Sequence, residues 1–134
     1  MSPAPLTVQN EDRVASPALI LHWESVEENL RRMIAIAGDP ARLRPHVKTH
    51  KLPQIVARQV ALGITKCKAA TIAEAEMSAA AGAQDVLLAA SLVGPAIGRF
   101  LALQMAFPQV VFSALADDEG AVQAVSGARQ SRSG

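Results

Sequence analysis

Short apolar runs alternate with capped helical stretches along this chain, and that alternation restricts its fold more than any other feature. Ala18 to His22, Leu43 to Thr49, Ile64 to Ala70, Asp85 to Ala90 and Val110 to Leu115 each read as a strand. Their starts recur about every 20–26 residues. Helix signals fill the gaps. Ser25, with Glu28 three residues on, has the form of a capping box, and Val26, Leu30, Met33, Ile34 and Ala37 share one helical face before Gly38-Asp39-Pro40. Pro53 suits the first turn of a helix closed by Gly63. Thr71 and Glu74 form a second capping box for a helix ending at Gly82. Gly94-Pro95 opens a helix carrying Ile97, Phe100, Leu101 and Met105, which Pro108 ends. Asp117 or Asp118 caps a last short helix ending near Gly127, and Arg129 to Gly134 reads as a disordered polar tail.

Consecutive strand–helix units of this rhythm predict an α/β fold with a parallel sheet and right-handed crossovers. The 134 residues suffice for one domain, 1–134. Two closures are open. Five strands can complete a doubly wound sheet, or they can form the first five units of a (β/α)8 barrel, which needs about 250 residues in full.

Composition narrows the partners. Half of the residues are hydrophobic and 19% are charged, which argues for a packed interior and against disorder. A net charge of +1 and an aromatic content of 3% leave no basis for nucleic-acid binding. No uncharged apolar run reaches membrane-spanning length, and residues 1–17 carry Glu11, Asp12 and Arg13 with no apolar leader. The single Cys67 fits a reducing, cytoplasmic setting and reads as a small buried hydrophobe.

The chemistry concentrates in Arg44-Pro45-His46-Val47-Lys48-Thr49-His50-Lys51. Pro45 disfavours helix at Arg44, while Val47 and Thr49 favour a strand, so a period of two places His46, Lys48 and His50 on one face. Three readings follow. The run is a solvated basic strand end. Or His46 and His50 are metal ligands at a spacing of four, against which stand the strand pattern and the lack of a third ligand nearby. Or Lys48 is an amine nucleophile at the C-terminal end of a strand, where α/β sheets bind ligands. There is no phosphate loop and no dinucleotide fingerprint.

The eight-residue run resembles the cofactor-lysine motif of the D-threonine aldolase and D-serine dehydratase group. That group belongs to the alanine racemase-like, fold type III enzymes that use pyridoxal phosphate. Ser16-Pro17-Ala18-Leu19 resembles the group's opening strand. Glu28-Asn29-Leu30 with Arg32-Met33 resembles its first helix, and Glu74-Ala75-Glu76 with Ala81-Gly82 the segment around its third. The resemblance spans roughly Ser16 to Gly127. It implies that Lys48 is both the catalytic and the cofactor-binding residue, holding pyridoxal 5'-phosphate as a Schiff base. It also implies a small D-amino acid as substrate. Cα–Cβ cleavage of the D-threonine aldolase type is the preferred reaction, with β-elimination of the D-serine dehydratase type next and racemisation third. His46 and His50 tune Lys48, orient substrate or serve the structure alone. His22 stands where relatives often carry an acidic residue and reads as a satisfied strand-end histidine. Lys51 reads as a surface lysine.

The resemblance further implies features beyond Gly134: three more barrel units, later loops that cradle the phosphate, and a β-rich domain with a divalent-metal site. None can be carried onto a residue here, so no metal ligand is assigned. The chain is therefore expected to be a partial barrel with two open sheet edges, prone to self-association or homodimer formation. A truncated, non-catalytic fragment of such an enzyme, its end read as a frameshifted or artificial tail, is the rival from another class. A binding module using Arg42, Arg44, Lys48 and Lys51 is a third reading.

Overall fold

The computed structural model describes residues 7–117 and 119–130, the side chains of 128–130 excepted. Helix α1 spans Trp23–Ala37, α2 Pro53–Ala61, α3 Ile72–Ala80, α4 Pro95–Ala106 and α5 Glu119–Gln130; strand β1 spans Lys66–Ala69, β2 Asp85–Ser91 and β3 Val111–Leu115. The strands form one parallel sheet in the order β1-β2-β3, with Lys66, Asp85 and Val111 side by side. Among the described residues no helix is long and apolar enough to cross a membrane.

Two of the five expected strands do not form as such. Among the described residues Ala18 to His22 has no ladder partner, and Leu19, Ile20 and Leu21 are exposed. Leu43 to Thr49 supplies one bridge, His46 beside Lys68, and then coils into a 3-10 turn over Val47–Thr49. Lys68 donates its N–H to Pro45 O at 2.8 Å, so this segment lies along the β1 edge without becoming a full strand.

The sheet alternates cleanly. Cys67, Ala69, Val86 and Leu88 point into the helices and are buried, whereas Lys66, Lys68, Asp85 and Leu87 occupy the opposite, half-buried face. One core joins Val47, Val56, Cys67, Ala69, Ala75, Ala83, Val86 and Leu103, drawing on the lysine turn, α2, α3, α4 and the first two strands. A second gathers Leu88, Leu92 and Phe100, with Phe100 edge-on to Phe112 at 6.2 Å.

Helix ends explain the boundaries. His22, not Ser25, caps α1, accepting the Ser25 N–H at Nδ1, and Glu28 pairs with Arg31 and Arg32 instead of closing a capping box. Thr71 caps α3 as expected. Past α2, Gly63 turns left-handed with φ 87°, against the Pro40 ring. Met105 proves 73% exposed, off the buried stripe of α4. Helix α5 runs past Gly127 through Arg129 and Gln130, which were expected in the tail; Asp118 and 131–134 lie outside the described residues. Asp117 accepts the Ser91 hydroxyl at 3.0 Å.

Candidate active site

The lysine run folds as a nailed-down turn. Val47 is fully buried, and its carbonyl accepts both the His50 N–H at 3.2 Å and the Lys51 N–H at 2.8 Å. His46 Nδ1 accepts the Lys48 N–H at 3.3 Å, capping the turn from the front. His50 Nδ1 accepts the Leu52 N–H at 3.1 Å, at the entry to α2. Lys48 itself is exposed. It follows the His46–Lys68 bridge by two residues, so it stands beyond the C-terminal end of β1.

The shared-face expectation for His46, Lys48 and His50 therefore gives way to a 3-10 turn, in which each imidazole binds backbone at Nδ1. Both rings serve the local structure, which a period-two reading could not foresee. A neutral ring that accepts at Nδ1 carries its proton at Nε2. On His50 that Nε2 is buried, and among the described residues it has no hydrogen-bond partner. Burial pushes the His50 imidazole below its ordinary value, against an opposing pull from Glu74.

Two carboxylates that the motif does not contain bracket the turn. Arg44 grips Asp85 through both oxygens, with Nη1 at 2.8 Å from Oδ1. This hydrogen-bonded pairing lifts the guanidinium and holds Asp85 below the usual carboxylate range. Lys51 Nζ lies 3.5 Å from Oε1 of Glu74, whose side chain is 5% exposed. Arg42 turns to the Ala37 carbonyl at 2.9 Å. Arg42, Arg44 and Lys51 thus engage separate partners. Glu74 was legible in the sequence as a cap of α3; its reach to Lys51 was not.

The remaining singled-out residues are structural. His22 Nδ1 lies 2.7 Å from the Ser25 hydroxyl, and Cys67 is buried, with burial pushing its thiol up. Arg58 joins α2 to α1 through Glu27, with bonds of 2.6 and 2.8 Å.

Comparison with known proteins fits this geometry. No protein-family model matches the chain. It is 44% identical over 85 residues to a D-threonine aldolase of Arthrobacter sp, covering 63% of this chain and 22% of that protein. It is 32% identical over 112 residues to the D-threo-3-hydroxyaspartate dehydratase of Delftia sp. (strain HT23), covering 83% of this chain and 29% of that protein. The crystal structure of D-threonine aldolase from Filomicrobium marinum superimposes with a TM-score of 0.76 at 33% identity, over 88% of this chain and 32% of that one. The chain thus spans less than a third of each relative. Within that span the sequence matches and the superimposed fold agree, and together they support a likeness to the D-threonine aldolase group of alanine racemase-like enzymes.

Proposed function

We propose that these residues form the lysine-bearing part of a pyridoxal-phosphate-dependent enzyme that cleaves the Cα–Cβ bond of a D-3-hydroxy amino acid, in the manner its aldolase relatives are named for. The parallel sheet and its superposition on part of an aldolase support reading these elements as the first units of a (β/α)8 barrel, with Lys48 at the C-terminal side of the sheet. One observation carries the reading: the exposed Lys48 leaves a turn in which its own N–H and those of His50 and Lys51 are hydrogen-bonded, in a chain that superimposes on part of a D-threonine aldolase.

The residues present fit the cofactor. An exposed amine held on a rigid turn is what covalent attachment of an aldehyde requires, and the buried Nε2–H of His50 is a donor with no acceptor among the described residues. When bound, pyridoxal phosphate supplies the electron sink for breaking a bond at the substrate α-carbon. Lys48 supplies the amine, His46 fixes its backbone, and His50 keeps its proton on Nε2. A divalent metal finds no such set, since among the described residues no three ligating side chains converge. No part of the chemistry is assigned to one.

A second reading is β-elimination, favoured by the dehydratase relative, which matches more of this chain than the Arthrobacter aldolase does. Self-association is a companion proposal. Among the described residues β3 pairs only with β2, and Val111 and Leu115 on it are exposed. A sharp monomer in sedimentation would refute that.

The test is titration of the chain and of Lys48→Ala with pyridoxal phosphate, followed by borohydride trapping and peptide mapping. A label at Lys48, absent from the variant, supports the reading. Diffuse labelling of several lysines, equal in both proteins, overturns it. Turnover of D-threonine against D-threo-3-hydroxyaspartate then separates the aldolase from the dehydratase.

A further inference from the structure

Glu74 draws together three pieces of chain beside the Lys48 turn. Its Oε2 accepts the N–H of Ala70, the first residue after β1, at 2.7 Å. Its own N–H is donated to Thr71 Oγ1 at 3.1 Å. Both contacts are those of a helix cap and would exist without the lysine turn. The third is different in kind: Oε1 faces Lys51 Nζ at 3.5 Å.

Lys51 is held in a conformation it does not favour. Its φ is 51°, the left-handed region, and its N–H is donated to the same Val47 carbonyl that serves His50. A cleft of about 330 Å³ is lined by Lys51 together with Thr71, Ala73, Glu74 and Met77 at the start of α3. The ion pair adds a polar tie from Lys51, at the end of the turn, to α3. His50 lies within the electrostatic reach of the same carboxylate.

We infer that Glu74 is a positioning residue for Lys48. By holding Lys51 it fastens the 47–51 turn to the C-terminal end of β1, and so sets the direction in which the Lys48 amine leaves the backbone. The inference rests on the reading of Lys48 as the cofactor lysine.

Glu74→Gln keeps an acceptor for Ala70 and drops the ion pair; Lys51→Met drops it from the exposed side and leaves the α3 cap intact. Amide exchange is followed by NMR in the chain without cofactor. Each variant is expected to speed exchange at His50 and Lys51 about three- to tenfold, with Val86 and Leu88 unchanged and the double variant no worse than either single. Both are also expected to weaken pyridoxal phosphate capture at Lys48 by a similar factor. Unchanged exchange at His50 and Lys51, a uniform rise that includes Val86 and Leu88, or faster exchange with undiminished capture each overturns the role. If Glu74→Gln does not fold, Lys51→Met decides alone. Absence of capture in the unsubstituted chain sinks the reading of Lys48, whereas the exchange data still decide whether Glu74 holds the turn.

Discussion

Arg44 and Asp85 meet as a two-pronged pair at the N-terminal end of the sheet, the end opposite Lys48. The segment leading into the lysine turn is thereby anchored to the first residue of β2, before His46 touches β1. Asp85 is held below the ordinary range mainly by the hydrogen bond from Arg44, with burial opposing. A lowered carboxylate stabilises the fold above the ordinary aspartate value, about 3.9, and that share is lost as pH falls through the lowered value. Asp85→Asn is expected to cost about 1–2 kcal/mol at neutral pH. Melting both proteins near pH 7 and near pH 3 checks it, because the gap should shrink in acid; a gap of equal size at both pH values speaks against the pair.

His50 predicts a second acid sensitivity at milder pH. Burial lowers its pKa in the folded chain, so the unfolded chain takes up a proton first, near the ordinary histidine value of about 6.5. Stability is therefore full above that value and declines as pH falls through the lowered one. His50→Asn offers a side-chain oxygen to Leu52 and no titrating ring. Its melting temperature should be flatter than the parent's between about pH 7.5 and about pH 5.5, and parallel curves would refute the assignment.

Val47 links the core to the lysine. Truncation to Ala removes buried methyl groups from a fully enclosed site and is expected to cost about 2 kcal/mol in denaturant unfolding. Capture of pyridoxal phosphate at Lys48 should weaken as well, since the carbonyl that closes the turn loses its anchor. Normal capture by a destabilised Val47→Ala chain would show that the turn does not depend on this residue.

Two glycines should rank by what surrounds them. Gly63→Ala strains a φ of 87° and places a Cβ 3.1 Å from Pro40 Cγ, whereas Gly38→Ala strains a φ of 77° with nothing within 4 Å. Each loses about 1 kcal/mol from conformation alone, and Gly63→Ala should lose more. Equal melting temperatures for the two would show that the Pro40 ring simply moves aside.

The sequence was most readable where local signals and packing agree. Pro53, Thr71 and Pro95 start helices where expected, and β1, β2 and β3 lie within two residues of their predicted bounds. It misled where a strand needs a neighbour. Ala18 to His22 has the right residues but no partner among the described residues, and β propensity without pairing leaves an exposed segment. At Val47 to Thr49, β-branched side chains pointed to a strand, but the imidazoles of His46 and His50 offered the backbone local partners and a turn won. The motif singled out Lys48, while the reach of Asp85 to Arg44 and of Glu74 to Lys51 became visible only in three dimensions. The two carboxylates come from 41 residues beyond Arg44 and 23 beyond Lys51, too distant for any local pattern.

The sheet grows in one direction. Pro45 and His46 lie over the edge of β1, and each later strand is laid beside the one just before it. Every pairing is thus available as soon as its own strand–helix unit leaves the ribosome, with no need to await distant sequence. The turn around Lys48 is built from the earliest of these contacts, so a nascent chain can shape it before β3 exists.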